Sequence, residues 1–347
     1  MSSIQKTPNT PTSSKPTVMV LEGVNGDIHK DPHSHDVARS AQRVLPEDNP
    51  VGISFRQVKE PEITHPVNNI QNLIEAYFLY HFDRFTDNLK NISKLGKNQK
   101  PNAINLSYGT TEFFVFQGLL TQQKECFNIA TQEEKKNLFV FNKDESKGLD
   151  WKLPELESYM DTTIDNSTKI AKAKEKAEDA VDVLKKKNIA VVVAVPNNKD
   201  LEKFKKEHPD VQFESDEGQN ILALKNTINV GISNSDGTLH RNSFRARDVD
   251  FTTQVPPSVE GRPIIMKGEN GTYESGKKQS ASFTTPVVAG MVAILINQGM
   301  TVDEATAYLK KLGTMEKDEY GNSYTDLNLA NVQKDLARFN KPASQEK

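Results

Sequence analysis

Side chains that could carry out nucleophilic hydrolysis lie beside apolar segments at several places in the sequence. Glu22 follows TVMVL, His33 and His35 lie in HSHDVA, Asn197 follows IAVVVAV, and Ser282 lies in SASFTTPVVAG. A hydrolase that works through an acyl-enzyme needs a serine that attacks and a histidine that takes its proton. It also needs a carboxylate that orients the histidine and an amide that donates to the oxyanion. These residue types predict that chemistry if the fold brings them together.

The segments between these residues predict the scaffold that positions them. Apolar strand patterns alternate with helical ones, and IAVVVAV is the continuous apolar run typical of a parallel strand buried on both faces. The rhythm predicts a doubly wound α/β fold, with a mostly parallel sheet and helices on both faces. Such sheets place their sites at the carboxyl ends of the strands, where Glu22 and Asn197 are expected. Strands are predicted at residues 17–21, 52–55, 103–107, 189–195, 221–225 and 227–232, and helices at 37–45, 70–95, 172–187 and 287–296.

The segment around Ser282 predicts a buried helix. Residues 287–296 are apolar except for Gly290, and a helix that is apolar all round belongs in a core. Pro286 is expected in the first turn, where backbone N–H groups lack helical partners, and Ser282 at the N-terminal end. Two interpretations of Ser282 follow. It is either the N-cap of the helix or a nucleophile whose oxyanion meets the free amides.

Composition narrows the class of protein. The 347 residues carry a net charge of −3, which gives no general attraction to nucleic acid. The longest apolar run is too short to span a bilayer, and the single Cys126 excludes a disulfide framework. Residues 1–16 and 336–347 are predicted to be polar tails around one domain of residues 17–335. Residues 122–151 are polar and aperiodic, and are expected to form an insertion or surface loops.

Several strings together resemble the subtilisin-like serine proteases, or subtilases. SASFTTPVVAG is similar to the serine motif of that family, VMVLEG to its acid motif and HSHDVA to its histidine motif. NAINLSYG is similar to the strand that lines the substrate cleft, and AVVVAVPNN to the segment that carries the oxyanion asparagine. The order of acid, histidine and serine is also that of the family. The residues that match the serine motif are Ser282, Thr285, Pro286, Val288, Ala289 and Gly290.

The resemblance implies a serine endopeptidase that acts on polypeptides and whose catalytic domain is residues 17–335. An enzyme of this kind is expected to require no metal and no cofactor. An extended peptide substrate is expected to pair in β fashion with residues 107–109. The residues that the resemblance assigns to catalysis are Glu22, His33, Ser282 and Asn197. Those that it assigns to substrate binding are Ser107, Tyr108, Gly109 and Val195.

Departures from the family pattern leave alternatives open. The family acid is Asp, so Glu22 brings one extra methylene, and Asp27, Asp31 and Asp36 are alternative acids. His35 is the alternative to His33. A subtilase fold that has lost activity and serves as a binding module is a second hypothesis.

The string DIHKDPHSHD suggests a further alternative, a cluster of histidines and aspartates around a metal ion. About twenty residues precede Glu22, too few for the folded pro-domain of secreted subtilases. We therefore expect a cytoplasmic protein, or one exported without an N-terminal signal peptide, including delivery into a host cell. No feature of the sequence indicates an oligomeric state.

Overall fold

Apolar, largely β-branched segments form the central strands of one sheet. The computed structural model describes residues 15–22, 31–42, 44, 51–58, 67–107, 109–141, 148–196, 199–211, 220–240, 243, 249–255, 265–267, 273–275 and 280–337. In this part of the chain eight strands join in the order β11-β12-β8-β7-β6-β3-β1-β2. The strands are β1 (Thr17–Glu22), β2 (Gly52–Gln57), β3 (Ala103–Leu106), β6 (Ala190–Ala194), β7 (Ile228–Ile232), β8 (Phe251–Thr253), β11 (Thr314–Lys317) and β12 (Ser323–Leu327). Two separate pairs are β4 (Phe139–Phe141) with β5 (Leu149–Trp151), and β9 (Ile265–Lys267) with β10 (Tyr273–Ser275).

The strand order reverses beside β1. The chain leaves β1 toward β2 at the edge of the sheet and then returns to the other side of β1 as β3. Every neighbouring pair in the sheet is parallel except β11 with β12. In a doubly wound sheet the crevice for a ligand opens at the carboxyl ends of the strands where the order reverses. That point lies between β1 and β3.

Helices cover both faces of the sheet, as the alternating pattern predicts. One face packs against α2 (Ile70–Ser93), α7 (Thr168–Lys186) and α8 (Lys199–Glu207). The other packs against α1 (Pro32–Gln42), α9 (Ala281–Asn297), α10 (Val302–Leu312) and α11 (Leu329–Leu336). The predicted fold class is therefore confirmed. No helix in the described part of the chain combines the length and the apolar character that a membrane crossing needs.

Residues 122–151 differ from the prediction of surface loops. Together with their neighbours they form α3 (Glu112–Thr121), α4 (Gln123–Ile129), α5 (Gln132–Leu138), the β4–β5 hairpin and α6 (Leu153–Asn166). The buried Glu134 completes a capping box with Thr131 and also accepts hydrogen bonds from the first amides of α2, at 3.1 Å from Ile70 and 3.2 Å from Gln71. This carboxylate at the N-terminus of α2 ties the segment to the sheet-covering helices.

One other prediction of secondary structure is wrong, and one helix starts earlier than its apolar spacing. Residues 221–225 form turns because the backbone there bonds to neighbouring segments instead of to a strand, as in the bond from Ile221 N–H to the Thr110 carbonyl at 3.0 Å. The first helix begins at Pro32, before the helical spacing that starts at residue 37, and His33 and His35 lie at its start, as the string HSHDVA indicated. Proline is well suited to a first helical position, because the missing N–H has no helical partner there.

Candidate active site

The alternation of side chains along the strands brings two polar groups to one face of the sheet. In β1, Val18 and Val20 face α1 and α9, so Glu22 follows on that face. In β3, Ala103 faces the same way, and Ser107 shares its parity just beyond the end of the strand. The register that pairs Leu21 with Leu106 places Glu22 beside Ser107. Both groups therefore lie at the point where the strand order reverses.

Ser282 is joined to Ser107 by two reciprocal hydrogen bonds. The Ser282 hydroxyl donates to the Ser107 carbonyl at 3.1 Å, and the Ser107 hydroxyl donates to the Ser282 carbonyl at 3.1 Å. The Ser107 hydroxyl is oriented in turn by Asn105, whose Nδ2 donates to it at 2.7 Å. The first turn of α9 is thereby fixed against the carboxyl end of β3.

Pro286 explains why the Ser282 carbonyl is free to accept this bond. The sequence predicts Pro286 in the first turn, but α9 begins at Ala281 and the proline lies inside the helix. A residue at this position would normally donate its N–H to the carbonyl four residues earlier, which is that of Ser282. Proline has no N–H to donate, and the Ser107 hydroxyl takes its place. The proline thus opens the helix toward the sheet where the candidate nucleophile lies.

The N-cap interpretation of Ser282 is wrong, because Ser280 caps the helix. The Ser280 side chain accepts a hydrogen bond from the Ser282 N–H at 3.2 Å. Because Ser280 caps the helix, the Ser282 hydroxyl is not used for capping. It also occupies the Ser282 amide that we expected to face the oxyanion. An oxyanion would have to compete with the Ser280 hydroxyl for that donor.

His33 lies next to the start of α9. Its ring packs edge-on against Phe283, with 5.5 Å between centroids, whereas the His35 ring packs against Phe55 of β2 at 5.6 Å. His33 is therefore the histidine whose ring contacts the residue after Ser282. Burial lowers the pKa of His33 below its ordinary 6.5, and the negative charge of Asp31 offsets part of this effect. The neutral imidazole that accepts a proton is thus favoured.

Asp31 immediately precedes the histidine-bearing helix α1. Its Oδ2 accepts hydrogen bonds from the Ser34 N–H at 2.7 Å and from the Ser34 hydroxyl at 2.8 Å. This is the pattern of a side chain that satisfies free amides at a helix N-terminus. Its charge acts on both His33 and Glu22. Asp31 is thus close enough to the site to affect its electrostatics while its carboxylate holds the end of α1.

Glu22 is almost fully buried, with 4% of its surface exposed. Burial raises its pKa to about 8, the nearby negative charge of Asp31 adds to the rise, and the Ser107 side chain lowers it by less. Its Oε1 makes no hydrogen bond with any described residue. The described residues also show no hydrogen bond from His33 to either Glu22 or Ser282. The three side chains converge on one edge of the sheet, but no hydrogen-bonded triad joins them.

The predicted substrate-binding residues lie at the ends of two neighbouring strands. Ser107 and Gly109 follow β3, and the buried Val195 follows β6. Tyr108 and the predicted oxyanion donor Asn197 lie outside the described residues. The sequence analysis did not single out Asn220, whose buried side chain lies against both strand ends. The sequence did not mark it, because it directly precedes residues 221–225, whose apolar pattern predicted a strand where the chain forms turns.

The proposed metal cluster cannot be assembled from the described residues. Asp27 and His29 lie outside them, and no three described His, Cys, Asp or Glu side chains come together in a way that would hold a metal ion. The alternative acid Asp36 is buried, and its Oδ1 lies 3.6 Å from Nη1 of Arg39. It belongs to an ion pair within α1.

Comparisons with known proteins give similarities among solved structures only. No family model matches the sequence, and no curated protein matches it. A lanthipeptide protease is 16% identical with a TM-score of 0.46, and the match covers 93% of this chain and 88% of that one. The epidermin leader peptide processing serine protease of Staphylococcus aureus is 15% identical with a TM-score of 0.46, over 96% of this chain and 78% of that one. A cold adapted subtilisin-like serine proteinase is 16% identical with a TM-score of 0.42, over 90% of this chain and 88% of that one.

All three are named as proteases, the kind of protein that the sequence motifs resemble.

Proposed function

We propose that the chain is a serine endopeptidase that hydrolyses peptide bonds through an acyl-enzyme formed on Ser282. The observation that carries the proposal is the fixed position of Ser282. Its hydroxyl lies at the mouth of a buried helix, bonded to the carboxyl end of β3 at 3.1 Å, and the next residue contacts the His33 ring. A hydroxyl held at the reversal point of a doubly wound sheet, beside a neutral imidazole, suits nucleophilic attack.

The proposed mechanism assigns one step to each group. The Ser282 hydroxyl turns from the Ser107 carbonyl to His33, which takes its proton as the oxygen attacks the peptide carbonyl. Asn197 donates to the resulting oxyanion. Glu22, once ionised, orients the imidazole and balances its positive charge. Water then hydrolyses the acyl-enzyme by the same route.

Labelling with a fluorophosphonate, combined with hydrolysis of a fluorogenic peptide, tests the proposal. We expect wild type to be labelled, and Ser282→Ala to lose the label and at least about a thousandfold of its activity. Ser93→Ala, at the end of α2, is the matched control and should behave as wild type. Equal labelling or equal turnover in Ser282→Ala would contradict the assignment of the nucleophile.

A second candidate function is peptide binding by an inactive site. It is favoured by the protonated state of Glu22 near neutral pH and by the lack of a hydrogen bond between His33 and either partner in the described residues. In that case wild type would not react with the fluorophosphonate at any pH. It would still bind an extended peptide, with an affinity that Ser282→Ala leaves unchanged.

A further inference from the structure

The space between the carboxyl ends of β3 and β6 is filled by one amide side chain. Among the described glycines, Gly109 is the most tightly packed against a neighbour. A Cβ added there would lie 2.1 Å from Nδ2, 2.6 Å from Cγ and 2.8 Å from Oδ1 of Asn220. Contacts this short do not occur between real atoms, so Asn220 occupies the space that a side chain at Gly109 would need.

Hydrogen bonds hold Asn220 in this position. Its Nδ2 donates to the Ala194 carbonyl at the end of β6 at 2.8 Å, and its Oδ1 accepts from the Leu222 N–H at 3.0 Å. The next residue, Ile221, donates its N–H to the Thr110 carbonyl at 3.0 Å, just after Gly109. The segment is thus bonded to the extensions of both strands. Asn220 is only 4% exposed, and moving it would break two side-chain hydrogen bonds.

The position of Asn220 matters for a peptide bound as proposed above, on which the following inference rests. A peptide that pairs alongside residues 107–109 directs alternate side chains toward the sheet edge. Because the Ser282 hydroxyl lies 3.1 Å from the Ser107 carbonyl, the residue whose carbonyl it attacks lies beside Ser107. A side chain of that residue entering between the two strand ends meets the Asn220 amide.

We infer that Asn220 closes this crevice and restricts the residue that supplies the scissile carbonyl to a small side chain, namely glycine, alanine or serine. Leucine or phenylalanine would have to displace the amide from its partners, leaving the buried Ala194 carbonyl and Leu222 N–H without them. The discrimination is thus set by an amide that lies far from the nucleophile in the sequence.

The test compares peptides that differ only at this residue. We expect wild type to cleave after alanine with a kcat/KM at least about tenfold higher than after phenylalanine. Asn220→Ala should raise kcat/KM for the leucine and phenylalanine peptides at least about tenfold and change the alanine peptide little. Asn234→Ala is the matched control, because Asn234 also donates from its side-chain amide, to Thr238 Oγ1 at 2.9 Å, in a turn after β7. It should leave the preference unchanged.

Two results would overturn the inference while leaving the proposed function intact. One is cleavage by wild type after phenylalanine as fast as after alanine. The other is an unchanged preference in a folded Asn220→Ala variant. If wild type cleaves none of the peptides and also resists the fluorophosphonate, the proposed function fails and the inference fails with it.

Protein stability gives a readout that does not depend on activity or on the single variant folding well. Gly109→Ala should lower the melting temperature, because its new Cβ would collide with Asn220. Adding Asn220→Ala should recover part of that loss. If the losses in melting temperature of the two single variants add in the double variant, the two residues do not pack as described and the inference is overturned.

Discussion

The burial of Glu22 predicts an unusual pH dependence for the proposed activity. A pKa of about 8 leaves only about a tenth of the Glu22 carboxyl groups ionised at pH 7, and about nine tenths at pH 9. His33 does not limit the reaction in this range, because burial lowers its pKa below 6.5 and the ring is already neutral. If the ionised Glu22 orients the imidazole, kcat/KM should rise about tenfold between pH 7 and pH 9.

The assay is kcat/KM for a fluorogenic peptide, measured from pH 5.5 to pH 9.5 for wild type, Glu22→Gln and Glu22→Asp. Glu22→Gln keeps the shape but cannot ionise, so it should lose the rising limb and about two to four decades of kcat. Glu22→Asp keeps a carboxylate and should retain measurable activity with a pH-dependent limb. A wild-type profile that is level from pH 6.5 upward would refute the role of Glu22 as an acid that must lose its proton.

The same raised pKa predicts that protein stability falls as the pH rises, whereas the proposed activity increases. In the unfolded chain Glu22 ionises near pH 4.5, whereas in the folded protein it keeps its proton to about pH 8. The folded state therefore binds more protons between these values, and its stability falls as the pH rises through that window. The difference between the two pKa values corresponds to a loss of unfolding free energy of about 5 kcal/mol at most.

Glu22→Gln removes this penalty and isolates it from the other titrating groups. Relative to wild type, the variant should gain stability steadily from pH 4.5 to pH 8 when both are unfolded in urea. A difference in unfolding free energy that stays constant across this range would show that the carboxyl group is not buried as described.

Two further predictions concern the scaffold and metal dependence. Gly290→Ala should lower the free energy of unfolding by about 1–3 kcal/mol, because its Cβ would lie 2.7 Å from the Ala41 carbonyl where α9 crosses α1. Gly96→Ala, with no atom closer than 4.0 Å to the new Cβ, is the control, and equal melting temperatures for the two would refute the close helix packing. A chelator should leave peptidase activity within about twofold, since a serine mechanism needs no metal, and a loss restored by zinc would favour the metal hypothesis instead.

Five strands of the sheet, β1, β2, β3, β6 and β7, were predictable from sequence because they are largely apolar runs, whereas β8, β11 and β12 were missed because they are short and partly polar. The predicted strand at residues 17–21 differs from β1 by one residue, and that at residues 189–195 contains β6. The helices between residues 122 and 151 were missed because each has only seven residues and buries few apolar side chains. The Thr131–Glu134 capping box was the available signal for one of them.

The contacts within the site were less predictable than the elements that carry it. Strand alternation accounts for Glu22 and Ser107 on one face, and that could be anticipated once the sheet was recognised. The exchange of hydrogen bonds between Ser107 and Ser282 depends on a missing N–H at Pro286, and the sequence indicated the wrong helical turn for that proline. The position of Asn220 could not be predicted, because it depends on packing against Gly109 beyond β3 and on a hydrogen bond to Ala194 at the end of β6, both distant in sequence.

The features that favour an inactive site are hydrogen bonds and a protonation state of residues that the chain contains. The Ser282 hydroxyl is bonded to the Ser107 carbonyl, and the Ser282 N–H to the Ser280 side chain. An extended peptide that pairs with residues 107–109 brings backbone N–H groups that compete for that carbonyl, so substrate binding can release the hydroxyl toward His33. The Glu22 proton is lost by raising the pH, without any change of residue. Since a bound peptide would release the Ser282 hydroxyl and a higher pH would ionise Glu22, reactivity with peptide present above pH 8 separates a conditional enzyme from a binding module.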